Sequence, residues 1–479
     1  MEVTAAMKLS LVNRDVDLLH GPIISKIFAF AVPLMISNLL QVLYSAADMI
    51  VVAQSGAEGA VGAIGTTNML INLVINLFVG FSVGANVLVS RLIGAKDEQG
   101  IGSAVHTAVL AALLSGILGG VIGFVIARPM LTLMGDEGRV LELACKYSRI
   151  RFVGIPFLSL TNFCIAIFRG KGNSTTPLWI MSAAGIANVL MNLFFVHICG
   201  MDVDGVAWAT VISNALSAGL LLAALARDPG PCRFRLKELR IDGASLREIL
   251  RIGIPAAIQG CFYTISNLLI SSSIITVNNR MNPGGSAVLD GHSAGMSIGN
   301  FATTCCEALE LSFISITSQH CGARKYKRLR RFILDAYLSV VVFAVTLTQI
   351  ISVFRTPLLS LYISEPAAFE AAYTRMNIML TTYFICSFMS TGSQLLRGMG
   401  RSSLAAMITL IFTCVLRVVW ILFVFPLNPT LECCYISYPL SWAAAAIAQT
   451  TAVFFCYRKL TKKAAEEPSS CGQGVAAKP

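Results

Sequence analysis

An acidic residue, Asp48, lies inside a long apolar stretch of the sequence, residues 27–53. An ionised carboxylate in hydrocarbon is costly, so we expect Asp48 to have a function or a partner. Burial disfavours the charged form of a carboxyl group, and Asp48 can therefore act as a protonation switch. Its oxygens can equally bind Na⁺, a hard cation that prefers oxygen ligands. The structural alternative is an acid near the outer end of a helix, where water reaches it.

Two other pairs of polar residues share a helix face within apolar segments. Asn188 and Asn192 are four residues apart and offer amide oxygens and N–H donors for either proton or Na⁺ chemistry. Glu307 and Glu310 are three residues apart, and two nearby carboxylates cannot both ionise cheaply. They can bind a proton or attract a cationic ligand. The alternative for this pair is a salt bridge to an intramembrane arginine, such as Arg417.

Arg417 lies between Leu416 and Val418 in an apolar segment, so its charge needs a counter-charge or carbonyl groups. We expect an internal ion pair, which gives this residue a structural role. Pro33 and Pro255 are also predicted to be structural, because a proline inside a helix kinks it. Two polar stripes are expected to line a cavity, with hydrogen bonds between helices as the alternative. These stripes are Gln41 and Tyr44, which precede Asp48, and Asn68, Asn72 and Asn76.

The composition of the chain is typical of a membrane protein. Of its 479 residues, 56% are hydrophobic and only 13% are charged. Soluble globular proteins carry about 25% charged residues. The charges cluster between apolar runs that each exceed the roughly 20 residues needed to cross a membrane. The twelve predicted spans are residues 25–52, 60–88, 101–127, 140–168, 176–198, 204–226, 248–278, 287–318, 331–354, 367–396, 403–426 and 435–457.

The basic residues indicate the orientation of these spans. Most Lys and Arg residues fall on the side that holds both termini, whereas only Arg128, Arg139, Arg280 and Arg355 fall on the other. The positive-inside rule then places both termini in the cytoplasm, in a multi-pass protein of the plasma membrane. The net charge of +11 therefore reflects the membrane topology. The basic segments are also expected to contact anionic lipid. It is spread over several segments, which argues against a nucleic-acid site.

The sequence contains no motif of an enzyme active site. The 14 cysteines show no C-x-x-C spacing, and the histidines are scattered. We therefore expect no metal site and no disulfide framework. A Walker loop is absent from the sequence, so nothing suggests nucleotide hydrolysis. An intramembrane enzyme would need a constellation of residues that is assembled only in space.

The two halves of the chain contain related segments. Residues 94–96 (GAK) match 322–324 (GAR), and 169–172 (RGKG) match 397–400 (RGMG) at the same offset. We predict an all-α polytopic membrane protein whose twelve helices form two six-helix lobes related as parallel repeats. Many secondary transporters have this arrangement, with the substrate between the halves, although duplication alone can also build a channel or an enzyme. The predicted segments are an N-terminal segment at 1–24, lobes at 25–226 and 248–457, a linker at 227–247 and a tail at 458–479.

The order and spacing of several segments resemble the multidrug and toxic compound extrusion (MATE) family over nearly the whole chain. The resemblance implies export of amphipathic, often cationic, organic compounds in exchange for H⁺ or Na⁺. It also implies that the acid of the first helix, matched by Asp48, takes up the coupling cation in the N-terminal lobe. The matching segments are Pro33, Tyr44 with Asp48, residues 90–95, residues 317–323, residues 169–174 with Pro177, Asn188 with Asn192, and residues 253–255.

Two features depart from the pattern of the family. In the family, the span that corresponds to residues 176–198 usually carries an Asn followed four residues later by an Asp. In this chain these two positions are Asn188 and Asn192. Between Gly253 and Val277 the seventh span carries no acid, although some members of the family have one there. We assign Asp48, Asn188 and Asn192 to cation coupling and keep the Glu307 and Glu310 pair as a second candidate.

The resemblance predicts a secondary active multidrug efflux antiporter that works by alternating access and is not an enzyme. Its only cofactor would be the coupling ion, H⁺ or Na⁺. The expected partners are the lipid bilayer and drug-like small molecules, without nucleic acid, and we expect a monomer. The alternative is a lipid-linked oligosaccharide flippase of the same broader fold. Twelve spans, with acids rather than a cationic cluster inside them, favour drug export.

Overall fold

The computed structural model of the chain describes residues 15–54, 60–133, 138–281 and 285–466, and this part is almost entirely helical. A membrane offers no water to the backbone, and a helix satisfies its own N–H and C=O groups. In chain order the α-helices are α1 (Ile23–Gln54), α2 (Ala60–Ala95), α3 (Glu98–Leu133), α4 (Gly138–Val153), α5 (Ile155–Gly170), α6 (Thr175–Leu193), α7 (Val203–Ala226), α8 (Gly243–Met281), α9 (Ala287–Gly322), α10 (Tyr326–Val353), α11 (Arg355–Leu359), α12 (Pro366–Gly398), α13 (Ser402–Thr409), α14 (Leu416–Val419) and α15 (Leu431–Glu466).

Three π-helices extend these elements. Phe194–Ile198 lengthens α6, Leu410–Val415 joins α13 to α14, and Trp420–Val424 extends α14, so that Ser402–Leu427 is one run. Helices α4 and α5 meet at a bend of 47°, where Pro156 is the second residue of α5. Proline lacks the N–H that would continue the helical ladder, which accounts for a bend at this point.

The predicted all-α polytopic fold is confirmed. Within the described ranges, nine helices are long and apolar enough to cross a membrane, or ten when α4 and α5 count as one span. Helices α9 and α12 are equally long but more polar. Both pack against other helices, and α9 buries polar side chains along its C-terminal half. A helix surrounded by protein does not need an apolar surface, so these two complete the predicted set of twelve.

The two halves of the chain interlock through their first helices. Phe30 and Leu34 of α1 share an apolar cluster with Leu309 and Phe313 of α9, in the other half. In the reciprocal contact, α8 packs on α2, where Ile252 meets Val83 and Val87. Pro33 lies inside α1 and Pro255 inside α8, as predicted. The first helix of each half therefore contacts the second helix of the other half.

The predicted repeat is visible in the backbone. Lys96 and Arg324, which are matched residues of the two halves, both have a positive φ, of 59° and 55°. Gly172 and Gly400 are also matched, and their φ angles are 88° and 76°. Left-handed backbone is uncommon for a non-glycine residue, so its recurrence at matched positions indicates that both halves turn the chain in the same way.

Glycines bring α2 and α9 into backbone contact at the end of the molecule that holds both described termini. A Cβ atom at Gly94 would lie 2.1 Å from the carbonyl oxygen of Gln319. A Cβ atom at Gly322 would lie 1.9 Å from the carbonyl oxygen of Arg91. Small residues allow this approach between membrane helices. The two halves are therefore closed against each other at this end, which we call the terminal end.

Candidate functional site

Asp48, Asn188 and Asn192 form one hydrogen-bonded cluster between α1 and α6. The Asn192 Nδ2 donates to Asp48 Oδ1 and also to Asn188 Oδ1, at 3.3 Å. The Asn192 side chain is fully buried, Asn188 is nearly so, and Asp48 is half-buried. The four-residue spacing puts both amides on the face of α6 that meets α1. The structure thus brings together the three residues that the sequence analysis assigns to cation coupling.

One oxygen in this cluster is unused. Within the described residues, the buried Oδ1 of Asn192 accepts no hydrogen bond. A buried acceptor without a partner costs free energy, on the order of 1–3 kcal/mol. A proton on Asp48 or a bound cation would satisfy it. The cluster can therefore hold a positive charge between a carboxylate and an amide oxygen.

Two further residues, which were not expected from the sequence, lie near Asp48. Tyr147 and Arg151 lie one turn apart on α4, with the Arg151 guanidinium 6.0 Å from the centre of the Tyr147 ring. Arg151 lies within electrostatic range of Asp48 but forms no ion pair with it. An arginine inside a predicted span is the signal that could have indicated this residue.

The polar stripes have different surroundings. The Tyr44 hydroxyl donates to the carbonyl of Ser182 at 3.3 Å, and its ring lies against Gly185, so Tyr44 fits the alternative of a contact between helices. Asn76 lines a cavity and also donates to Thr264 Oγ1 of α8 at 3.2 Å. Gln41 and Asn72 have exposed side chains, and the side chain of Asn68 lies outside the described part of the chain.

A cavity of about 440 Å³ lies between α2, α8, α9 and α12. Glu307 and Glu310 of α9 both line it. Glu310 is only 2% exposed and its Oε1 has no hydrogen-bond partner among the described residues, whereas the Glu307 side chain is open to the cavity. Ser390 lies beside Glu310. The second candidate pair therefore faces a space large enough for a small organic molecule.

Arg397 is a further charged residue of this cavity, and it is not among the site residues expected from the sequence. Its Nη2 donates to Gln259 Oε1 at 2.9 Å, and its Nη1 donates to Gln394 Oε1 at 3.1 Å. Neither glutamate of the cavity forms a salt bridge with it. The cavity thus carries acidic groups on α9 and a guanidinium on α12. The sequence contains Arg397 in the repeated RGMG segment, but nothing there shows which way the side chain points.

The prediction of an ion pair at Arg417 is wrong. Its guanidinium is 1% exposed and donates to Ser441 Oγ and to Asn267 Oδ1, both at 2.9 Å. It also lies 4.3 Å from the centre of the Tyr438 ring, with Tyr263 and Trp442 on other sides. No carboxylate of the described residues lies within salt-bridge distance. Aromatic faces attract a cation, so the rings take the place of the expected acid.

The comparisons with known proteins agree with this architecture. A sequence profile of the MatE family matches the chain over residues 33–220 and 255–422. The chain is 26% identical over 364 residues to the probable multidrug resistance protein YoeA of Bacillus subtilis, covering 74% of this chain and 77% of that protein. It is 25% identical over 409 residues to YpnP of the same species, another probable multidrug resistance protein, covering 84% and 88%. The chain is also 25% identical over 249 residues to an FAD transporter of Shewanella oneidensis, covering 50% and 53%.

Solved structures share the fold. An outward-facing multidrug resistance MATE family transporter of the MOP superfamily superposes with a TM-score of 0.85 at 22% identity, covering 94% of this chain and 99% of that one. A MATE structure in a bent conformation superposes with a TM-score of 0.86 at 21% identity, covering 95% and 100%. Because the family profile matches most of both halves, the chain belongs to the MatE family of multidrug and toxic compound extrusion transporters.

Proposed function

We propose that this transporter exports amphipathic, often cationic, organic compounds in exchange for H⁺ or Na⁺, and that Asp48 carries the coupling cation. The cluster of Asp48, Asn188 and Asn192 is the observation that carries this proposal. A carboxylate inside a membrane helix is expensive unless its charge is used. Here it lies beside a buried, unpartnered amide oxygen that a positive charge would satisfy.

The Asn192 amide allows one carboxyl group to have two states. Its Nδ2 donates to Asp48, which is the bond that a charged carboxylate accepts. A protonated Asp48 would instead donate to an oxygen, and Asn192 Oδ1 would offer one after the amide rotates by half a turn. Na⁺ would contact the carboxylate and the same amide oxygen. With one acid in the cluster, the N-terminal lobe would exchange one positive charge in each cycle.

The cavity beside α9 supports a cationic substrate. Glu307 and Glu310 offer carboxyl groups to a cation, and Tyr383 and Met389 supply apolar surface in the same cavity. Methionine and aromatic side chains adapt to ligands of different shape. The relatives in Bacillus subtilis are named probable multidrug resistance proteins, which supports drug-like substrates.

The charge distribution supports one orientation of the protein in the membrane. The terminal end carries the basic loops, so we place it in the cytoplasm and the protein in the plasma membrane. Closure of α2 against α9 at this end corresponds to an outward-facing state. Alternating access would then require this contact to open. The flippase alternative has no specific support from the cavity, which contains two acids and one arginine.

The proposal is tested by transport in everted membrane vesicles, with ethidium as the probe cation. H⁺ and Na⁺ gradients are imposed separately on wild type, Asp48→Asn and Asp48→Glu. We expect Asp48→Asn to lose gradient-driven efflux and Asp48→Glu to retain part of it, because only the latter keeps a titratable carboxyl group. The gradient that drives wild type identifies the coupling ion.

Folding of each variant is checked by its thermal unfolding temperature in detergent. Efflux that is unchanged in a folded Asp48→Asn variant would overturn the assignment and direct attention to Glu307 and Glu310. A wild type that responds to neither gradient would overturn cation coupling itself.

A further inference from the structure

The segment that connects the two halves forms one wall of an open groove. The groove has a volume of about 870 Å³ and lies between residues 230–240 and the first turns of α3, at the terminal end of the molecule. We call it the linker groove. It is remote from the Asp48 cluster and from the cavity beside α9, and it shares no lining residue with that cavity.

The connecting segment is fixed to α3 near both ends of the groove. The N–H of Arg235 donates to His106 Nε2 at 3.0 Å, and His106 Nδ1 donates to the Gly102 carbonyl at 2.6 Å. At the other end, the N–H of Asp242 donates to Thr107 Oγ1 at 3.0 Å. The residues between these two contacts are therefore held in place before any ligand arrives, which lowers the entropic cost of binding.

The groove has an excess of basic side chains. Arg235 is paired with Glu238 at 2.7 Å, and the hydrogen bond from Arg235 holds the pKa of Glu238 below its ordinary value. Lys237 and Arg240 are exposed and form no ion pair within the described residues. Their charges are therefore available to an anionic ligand. Lysine and arginine are the usual partners of phosphate groups.

Apolar residues flank these charges. Leu236, between Arg235 and Lys237, is 75% exposed, and Ile241, next to Arg240, is 46% exposed. Such a pattern of basic and apolar side chains is typical of a segment that lies at a membrane surface.

The groove lies close to the level at which the helices enter the membrane. On α3, Leu113 is the first large exposed apolar residue, and it follows His106 by about two helical turns, or about 10 Å. The headgroup layer on each side of a bilayer is roughly 5–8 Å deep. The groove therefore begins just above the headgroup layer, and the long side chains of Lys237 and Arg240 can reach a headgroup whose acyl chains remain in the bilayer.

We propose that the linker groove binds the headgroup of an anionic phospholipid from the adjacent leaflet. Lys237 and Arg240 contact the phosphate, and Leu236, beside the groove, contacts the glycerol region of the lipid. The lipid thereby fixes the connection between the two halves to the membrane surface. The ligand class is defined by a phosphate charge joined to an apolar part, because the two basic residues line the groove and Leu236 is exposed next to them.

The test measures lipid binding to the purified full-length protein in detergent by native mass spectrometry, with phosphatidylglycerol and phosphatidylcholine as probes. The variants are the double substitution Lys237→Gln/Arg240→Gln and the single substitution Leu236→Ser. The control is Lys462→Gln/Lys463→Gln, which removes the same charge from the exposed end of α15. We expect the groove double variant to bind phosphatidylglycerol about tenfold or more weakly, the control to match wild type, and Leu236→Ser to weaken binding several-fold.

Three results would overturn the proposal. One is equal binding of phosphatidylglycerol and phosphatidylcholine by wild type. Another is an equal loss of binding in the groove and control variants, which would mean that only the overall charge matters. The third is displacement of the lipid by inorganic phosphate at similar concentration, with no effect of Leu236→Ser, which would identify a site for soluble phosphate instead.

Discussion

At the scale of single residues, Asn192 is the hydrogen-bond partner that links Asp48 to α6. By its resemblance to the family, this position is one where a second acid is expected. The variant Asn192→Asp places a second carboxylate beside Asp48. Two charges about 4 Å apart interact by about 4 kcal/mol at an effective dielectric constant of 20, so a bound cation is strongly favoured.

We therefore expect Asn192→Asp to lower the H⁺ or Na⁺ concentration for half-maximal ethidium efflux by about tenfold or more. Asn192→Ala, which removes the amide and its hydrogen bond, should raise that concentration. Both are measured in the vesicle assay with graded ion gradients. Equal responses of the two variants would contradict a direct role of residue 192 in holding the cation.

Glu310 allows a separate test of the substrate cavity. Its carboxyl group is buried, and Oε1 has no hydrogen-bond partner within the described ranges. If it attracts a cationic substrate, Glu310→Gln should raise the apparent KM for ethidium about tenfold, which corresponds to about 1.4 kcal/mol. The apparent KM for an uncharged dye serves as the control, because a general loss of folding would affect both probes. A similar change for both dyes would argue against charge recognition.

The sequence was sufficient to predict some of these residues and insufficient for others. Asp48 and Asn192 are polar exceptions in apolar runs, so their cost in the membrane makes them visible. Arg397 lies near the end of a span, where a basic residue is ordinary, and only the packing of α12 turns it toward the cavity. The partner of Arg417 was predicted incorrectly because aromatic residues are common in membrane helices. Their arrangement around one guanidinium depends on the tertiary fold.

At the scale of elements, the length of the apolar segments predicts most of the helices. It does not show which of these helices are surrounded by protein. Helices α9 and α12 were predicted as spans, and their polar surfaces reflect contacts with neighbouring helices. The bend between α4 and α5 follows directly from Pro156. The π-helices within Ser402–Leu427 were not predicted, because the change from α to π geometry leaves no clear pattern in the sequence.

The contact between α2 and α9 depends on Gly94 and Gly322. An added methyl group at either position would meet a backbone carbonyl of the opposite helix, which cannot rotate away. We expect Gly94→Ala and Gly322→Ala to separate the helices at the terminal end and to favour the state that is open there. Distances between spin labels on the ends of α2 and α9 should become longer by several ångströms.

Gly299→Ala is the matched control, because it lies on α9 and a methyl group there would meet no atom within 4 Å. Its label distances should equal those of wild type. Unchanged distances in Gly94→Ala would show that the two helices accommodate the extra group without separating.

At the scale of the whole molecule, residues 15–21 contact both halves at the terminal end. Toward the N-terminal half, Asp15 lies 3.3 Å from the Lys171 ammonium, which is 2.7 Å from Asp228. Burial alone would lower the pKa of Lys171. The hydrogen bond to Asp228 and the charges of Asp15 and Asp228 outweigh burial, so the pKa of Lys171 is raised. Its contribution to stability is therefore present at neutral pH and is lost only as the pH rises above the ordinary lysine value of 10.5.

The same segment is bound to the C-terminal half by other contacts. Lys325 Nζ donates to His20 Nε2 at 2.6 Å, and Arg328 donates to the carbonyl of Gly21 at 2.5 Å. Leu18 is buried in the apolar cluster that α1 shares with α9 and α10. A segment attached to both halves opposes their separation, so residues 15–21 should stabilise the state that is closed at the terminal end.

The double variant Lys325→Gln/Arg328→Gln removes these two contacts. We expect faster hydrogen–deuterium exchange both in residues 15–21 and at the adjoining ends of α2 and α9, because the closed state loses part of its stabilisation. Lys327→Gln/Arg330→Gln removes the same charge from exposed positions of α10 and should exchange as wild type does. Faster exchange confined to residues 15–21 would mean that the segment rests on the closed interface without holding it. Faster exchange in residues 15–21 and at the ends of both α2 and α9 would show that the terminal end opens when residues 15–21 are released.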